Sequence, residues 1–508
     1  MKTATIIFAL IILASVIVTW PLVAHLSSFI IDSHDGLLIT WIINWNIHAQ
    51  SLNTNIFYPY TNTLAFSDYH LLESLVALPF VKIFGEPLLA FNINFILGFV
   101  ITAFAIYTLV FHLTKKISAA FFAGILFTFS TIHLNYMTHL QLFDFWPVIF
   151  TIYFVIRQKF KSFLLFFWLS SLNSPLNFYF LLTICLILRK FKSTFFATII
   201  TAPFLLPYFF VSRQFGYVRP INDAIHFSLQ FPDLLNISSM SRLSNFIPPT
   251  SELTPAYFGG VFLVLFIAMI WGVRNKIPNN KYLKFFLSLA LVSFILSLGP
   301  ALHISPNTVH IGSVPAIPLP YAIFYYLLPG FSGFRTPSRW IVLTALSLSV
   351  AIGIYFTKRL NWKTVVILSI LILAEINFPF RYSVVPSVKE FPLEQIWLKD
   401  NYVGAPIIQF PIYNWDDRPQ FGEETLREYY STIHWHPMFN GFSGFSPKEW
   451  ENRVKWLQKE FPSIETINYL KTLGIKLVLA PVSWDLSLYS KELKLVINLS
   501  KVNIYEVK

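Results

Sequence analysis

Residues 88–116, LLAFNINFILGFVITAFAIYTLVFHLTKK, decide the class of this chain. Residues 88–111 carry no charged side chain, and about 20 apolar residues suffice to cross the hydrocarbon of a bilayer as a helix. Lys115-Lys116 follow at once, which by the positive-inside rule places that end in the cytoplasm. Working outward, comparable apolar stretches lie near 3–20, 69–84, 117–131, 143–156, 162–171, 175–188, 191–212, 257–273, 282–298, 338–357 and 363–378. With 88–111 these make about twelve candidate spans, and we expect a polytopic α-helical membrane protein of about 11–13 spanning helices.

Charge is unevenly spread over the 508 residues. Residues 1–379 hold 22 Lys and Arg against 10 Asp and Glu, whereas 380–508 hold 15 of each. The first part is about 8% charged and the second about 23%, close to the usual soluble share. We therefore expect a multi-spanning membrane domain over 1–379 and a water-soluble domain over 380–508. The apolar run 405–412, a helix-like segment over 447–460 and the runs 473–481, 493–499 and 501–507 predict a small α/β domain, the last two as a hairpin.

The net charge of +12 belongs to the first part and sits in short clusters between apolar runs, which excludes a nucleic-acid partner and makes the bilayer the partner instead. The clusters Lys115-Lys116, Arg157/Lys159/Lys161, Arg189-Lys190/Lys192, Arg274/Lys276/Lys281/Lys284 and Lys358-Arg359/Lys363 are placed inside. The segments 131–142, 213–256 and 299–337 and the C-terminal domain then face outside, at a prokaryotic plasma membrane. Lys2 and the apolar run to Val18 could open a signal peptide, but no small-x-small cleavage site follows and Trp20-Pro21 reads as an interfacial anchor, so an uncleaved first span is expected. Parity between that helix and Lys115 leaves two arrangements: either 36–50 enters the membrane, or 69–84 is re-entrant. The aromatic, amide-bearing 36–50 suits a helix lying at the interface. Cys185 stands alone, so no intramolecular disulfide forms, and no nucleotide-binding motif is present.

The candidate chemistry starts at Ile31-Asp32-Ser33-His34-Asp35-Gly36. A carboxylate just outside the bilayer can take a proton from an acceptor hydroxyl while a lipid-bound phosphate departs; solvated loop acids and helix capping are the plain alternatives. His70 and Glu73, three apart at a helix start, share a face and could orient a base or a substrate hydroxyl. Arg335 and Arg339, four apart at the outer start of a span, suit bidentate phosphate binding or interfacial snorkelling, with Arg213 and Arg219 as weaker candidates. His133, His139 and Asp144 lack tight metal-ligand spacing, so no metal or other cofactor is assigned. His434-Trp435-His436-Pro437 and Asn440-Gly441-Phe442-Ser443-Gly444-Phe445 suit either a carbohydrate platform or ordinary core and turn packing.

The pattern D-x-L-L-x-x-W-I-x-x-W-x-x-H, carried here by Asp35, Leu37, Leu38, Trp41, Ile42, Trp45 and His48, resembles the GT-C type membrane glycosyltransferases. The bacterial, dolichyl-phosphate-mannose or arabinose transferase-like members and YfhO-like relatives are the nearest in pattern. The resemblance continues through Phe57-Tyr58-Pro59, Asn62-Thr63-Leu64-Ala65-Phe66-Ser67, His70-Leu71-Leu72, Pro79, Ser130, His139-Leu140-Gln141, Trp146-Pro147 and the run from Leu328 to Arg339. It implies transfer of a sugar from a polyprenyl-phosphate carrier to a glycan, lipid or protein acceptor on the outer face. Asp35 is then the catalytic base, and Asp32, His34, His70, Glu73, His139, Arg335 and Arg339 are the substrate-binding residues. Relatives often have Asp-Pro where this chain has Asp35-Gly36, and the second-loop acid is approximated only by Asp144. A non-catalytic protein of the same fold that presents lipid-linked glycans is the alternative; a secondary transporter is disfavoured by the absence of repeats and the scarcity of acids within spans.

Overall fold

The computed structural model describes residues 2–250, 256–274, 278–304, 307–309 and 316–508. Lys276 of the fourth basic cluster and parts of the outer segments 213–256 and 299–337 lie outside the described residues. Each of the twelve apolar runs carries a helix. Three of these, Leu89–Thr114, Phe191–Phe215 and Pro337–Tyr355, are long and apolar enough to cross a membrane. Others are shorter apolar helices, such as Ile117–Thr128, Pro175–Ile187 and Gly260–Val273. Their starts follow local rules: Asn280 accepts from the N–H groups of Tyr282 and Leu283, Asn361 from Thr364, and Ser174 caps a helix that opens on Pro175.

The chain forms two compact units. The first comprises Met1–Val23, Asn94–Ser212 and Gly216–Phe380. Its centre is the helix Ile341–Tyr355, buried from Ile341 to Ile354 and packed against Lys281–Ser297, Ile117–Thr128 and Gly260–Val273. Small residues let the backbones approach: a Cβ on Gly124 would lie 2.7 Å from the Ala103 carbonyl oxygen, and one on Gly353 would lie 3.0 Å from Ala123 Cβ. Ser293 and Thr344 share a hydrogen bond of 2.8 Å across two of these helices, satisfying hydroxyls that would otherwise be costly in an apolar interior. Outward-facing Phe195, Val264, Ile267, Trp271 and Ile370 are each about 60% exposed or more, an apolar exterior that water would not favour and lipid would. Composition, helices and exterior together mark a membrane protein.

The second unit comprises Ala24–Ile93, Arg213–Phe215 and Arg381–Lys508. A single cut at 379/380 was expected, but residues 24–93 fold with the C-terminal segment. The reason is in the pairing: Phe29–Ile30 bridges antiparallel to Ser383–Val384, Phe57 N–H donates to the Asn440 carbonyl, Tyr58 N–H to that of Met438, and Met438 N–H back to Asn55. The anticipated α/β character is present as a four-stranded sheet in the order Ile407–Gln409, Leu477–Pro481, Val502–Val507, Leu493–Asn498. The first pair is parallel with Ile408 opposite Val478, and the rest are antiparallel, with Leu479 opposite Ile504 and the last two strands forming the expected hairpin. Lys448–Glu460 supplies the helix read near 447–460.

The helix Asp35–His48 is the heart of this unit rather than an interfacial helix, since residues 36–46 are all buried. It packs between Leu71–Phe84 and Gly422–Ser431. Its polar residues look inward because each finds a partner. Asn44 donates to the carbonyls of Thr40 and Pro87, Asn46 to the Tyr69 carbonyl and Ser74 Oγ, and Trp41 Nε1 to Asn55 Oδ1. A polar side chain paired in this way can be buried.

Candidate active site

Residues 31–34 turn the chain from the strand Phe29–Ile30 into the helix Asp35–His48. Asp32 Oδ1 accepts from the His34 N–H at 3.0 Å and lies 3.5 Å from His34 Nδ1. That is a self-contained Asx turn, and it orients the half-exposed His34 ring. Asp35 follows in the first helical turn, half-buried, where the helix N-terminus suits an acidic side chain. Gly36 lies close to Ile30: a Cβ there would be 2.9 Å from Ile30 Cδ1, so the end of that side chain would have to shift. The departure from Asp-Pro at this position thus has a local steric partner.

The loop rests on the start of the helix Gly422–Ser431. Thr425 Oγ1 donates to the Ser33 carbonyl at 3.3 Å, and the His34 ring packs on Phe421 at 5.4 Å. Gly422 faces His34 so closely that a Cβ would lie 2.7 Å from its Nε2. Beneath lie two buried carboxylates that the sequence did not signal, because acids on a helix ordinarily read as a solvated face. Glu424 meets Arg427 Nη1 at 2.6 Å and accepts from Tyr413 N–H and Asn440 Nδ2. Glu428 Oε1 accepts from the Phe442 N–H at 2.5 Å. Burial pushes the Glu428 carboxyl well above the usual range; the Phe442 N–H opposes this and the nearby Glu424 adds to it.

His70 and Glu73 come together as expected, with Nδ1 and Oε1 3.6 Å apart, but both are about 1% exposed. They sit inside the unit at the start of the helix Leu71–Phe84, His70 in left-handed backbone. His434, His436, Asn440, Phe442 and Ser443 are likewise interior. His434 Nδ1 accepts from His436 N–H, which leaves Nε2 to donate to Gln395 Oε1 at 3.1 Å.

The remaining candidates belong to the first unit. His139 is half-buried with Nδ1 2.9 Å from Thr138 Oγ1. Both ring nitrogens of His133 face backbone carbonyls, of Thr128 and Phe143, at 2.9 Å, and Asp144 is buried against Gly98. Among the described residues no three His, Cys, Asp or Glu side chains form a group able to hold a metal ion. Arg335 and Arg339 are half-buried in the turn before Ile341–Tyr355. Arg335 lies 5.3 Å over the Phe227 ring. Burial, then the charges of Arg219 and Arg339, lower its affinity for a proton, while Tyr217 and Asp223 act the other way. Arg219, a weak candidate from sequence, is thus the third member of this cluster; its N–H donates to the Ser332 carbonyl and its Nε to Tyr217 OH.

Among solved structures the chain is similar to the arabinofuranosyltransferase AftD from Mycobacteria, with a TM-score of 0.58 at 12% identity over 100% of this chain. The likeness is one of fold. It spans 40% of the length of AftD. ArnT from Cupriavidus metallidurans aligns over 99% of this chain and 98% of its own at 10% identity, with a TM-score of 0.38. No protein-family model matches the sequence, and no curated protein does.

Proposed function

We propose that this protein is a membrane glycosyltransferase that moves a sugar from a polyprenyl-phosphate carrier to a glycan, lipid or protein acceptor on the outer face of a prokaryotic plasma membrane. The observation that carries the reading is the arginine cluster. Arg335 and Arg339 are half-buried beside Arg219, and among the described residues no carboxylate lies within ion-pair distance of either Arg335 or Arg339. Half-buried guanidinium groups whose charges act on one another, with Asp223 opposing them only in part, favour a further anion, and their planar donors match phosphate. The fold shared with AftD supports the same class of reaction.

In this reading the Asp35 carboxylate takes the proton of the acceptor hydroxyl as that oxygen bonds to the anomeric carbon. The bond from the anomeric carbon to the phosphate oxygen breaks, and polyprenyl phosphate leaves with the electron pair, its charge stabilised by Arg335 and Arg339. One displacement inverts the anomeric centre. Asp32 and His34 shape the turn that carries Asp35, and we assign the buried His70 and Glu73 to supporting that surround rather than to touching substrate. His139 stays a candidate on the substrate side. The soluble C-terminal segment, with residues 24–93, is placed outside the cell.

The test is release of polyprenyl phosphate in nanodiscs from a panel of polyprenyl-phosphate sugars with mixed envelope glycans as acceptors. Wild type should turn over, Asp35→Asn should not, and Arg335→Ala with Arg339→Ala should raise the donor KM. Binding of the carrier without turnover in wild type would instead support the non-catalytic, glycan-presenting reading.

A further inference from the structure

In the His434–Pro437 run, Trp435 and Pro437 are the members that are not fully buried. The two histidines flanking Trp435 are buried, whereas Trp435 itself is half-buried and held at φ +55°. A bulky residue in left-handed backbone is a true outlier that persists only where its surroundings impose it, and such outliers gather at functional sites. Here the conformation lays the indole on the exposed His48 ring, with centroids 4.5 Å apart and planes 15° apart, and edge-on to Trp45 at 5.5 Å. Burial, then the charge of Lys82, lowers the proton affinity of His48, so the ring it offers at neutral pH is uncharged.

A second aromatic pair stands close by through His436. One nitrogen of the His436 ring is 2.9 Å from the Leu398 carbonyl and the other 2.8 Å from that of Ala405. Tyr402 belongs to the segment between those residues and Trp397 immediately precedes it, and their rings are 5.9 Å apart. Tyr402 is exposed and is itself left-handed, at φ +52°. Two aromatic residues in left-handed backbone are thus linked through one buried histidine: Trp435 precedes His436, whose ring meets the Ala405 carbonyl, and the Ala405 N–H donates to the Tyr402 carbonyl. Exposed Gln50, Asn53, Lys399 and Asp400 belong to the same stretches of chain.

We propose that Trp435 with His48, and Tyr402 with Trp397, form a platform that binds an oligosaccharide chain, the acceptor glycan of the transfer proposed above. Sugar rings stack their C–H faces on aromatic rings and present hydroxyls at their edges, and amides and side chains of both signs match those hydroxyls. A membrane-anchoring belt would favour cations and apolar neighbours instead, and Asp400 does not fit it. The role as acceptor site rests on the transferase reading; binding itself does not.

The experiment uses the full chain in nanodiscs with three hexasaccharides, mannohexaose, arabinofuranohexaose and chitohexaose, and reads binding by calorimetry and saturation-transfer NMR. Wild type should bind at least one, Trp435→Ala should bind it about tenfold or more weakly, and Trp435→Phe should retain most of the affinity. Tyr402→Ala should weaken the hexasaccharide more than the matching disaccharide, which keeps the test open if Trp435→Ala fails to fold. Asp35→Asn should bind glycan like wild type, so a failed transferase reading leaves this result standing. Binding of none of the three by wild type, or unchanged affinity in both Trp435→Ala and Tyr402→Ala, would overturn the proposal. So would quenching by spin-labelled lipid of the fluorescence that distinguishes wild type from Trp435→Phe.

Discussion

Asp35 stands in the first turn of a helix whose next eleven residues are buried, so its position is fixed by packing while its side chain stays half accessible. Replacement by Asn keeps shape and removes basicity; we expect turnover to fall by about 10²–10⁴-fold with folding intact, measured as polyprenyl phosphate release. Glu428 sets a different expectation. Burial raises its carboxyl well above the ordinary range in the fold, so its contribution to stability is full at low pH and declines as pH rises through the raised folded value. His434 has the opposite sign. Burial and then His436 hold it down to about 3, so its contribution is present above the ordinary histidine range and is lost as pH falls towards 3. Thermal unfolding followed from pH 5 to 9 should therefore lose its alkaline decline in Glu428→Gln and keep its acid one. Glu428 was not legible in the sequence, because nothing in GEETLREYYS separates a buried acid from a solvated one, whereas core packing was one of the two readings given for the His434–Pro437 run.

At the scale of elements, the helix Gly422–Ser431 and the turn it supports make a testable pair. Gly422→Ala places a methyl group against the His34 ring. The ring is half-exposed and can swing aside, so we expect a stability change within about 1 kcal/mol but a lower kcat as the Asp32–His34 turn is disturbed, with the donor KM unchanged. Asn46→Ala removes two donated bonds, to the Tyr69 carbonyl and Ser74 Oγ, and should cost about 1–3 kcal/mol of stability in a detergent melt. Helices and strands themselves were largely readable: apolar run length marked twelve helices of the membrane part, though not short ones such as Ile221–His226 and Pro320–Leu327, and alternation marked the terminal hairpin. What alternation and run length cannot carry is burial on all sides. Asn44 and Asn46 gave the helix Asp35–His48 a surface look, and only their distant partners show it to be interior.

At the scale of the molecule, the arrangement of sides proposed above rests on charge alone and is open to direct measurement. Lys459→Cys, at a side chain 82% exposed in the C-terminal segment, should react with a membrane-impermeant maleimide on intact cells, whereas Lys115→Cys should react only after permeabilisation; buried Cys185 keeps the background low. The first domain boundary was partly legible, since charge density changes near residue 380. The membership of residues 24–93 was not, because the bonds that recruit them join positions some 380 residues apart, as Asn55 does with Ser431 and His436, and no local pattern encodes a partner so distant. That distance also has a timetable. Ribosomes add about 5–20 residues per second, so the turn bearing Asp35 waits roughly a quarter of a minute to a minute between the synthesis of residue 93 and that of residue 381. Through that interval the helix Asp35–His48 lacks Gly422–Ser431 to pack on, so a chain stalled or cleaved before its last quarter holds no finished base. In the transferase reading, a chain that stops before residue 422 therefore carries the Asp35 turn without the helix that supports it.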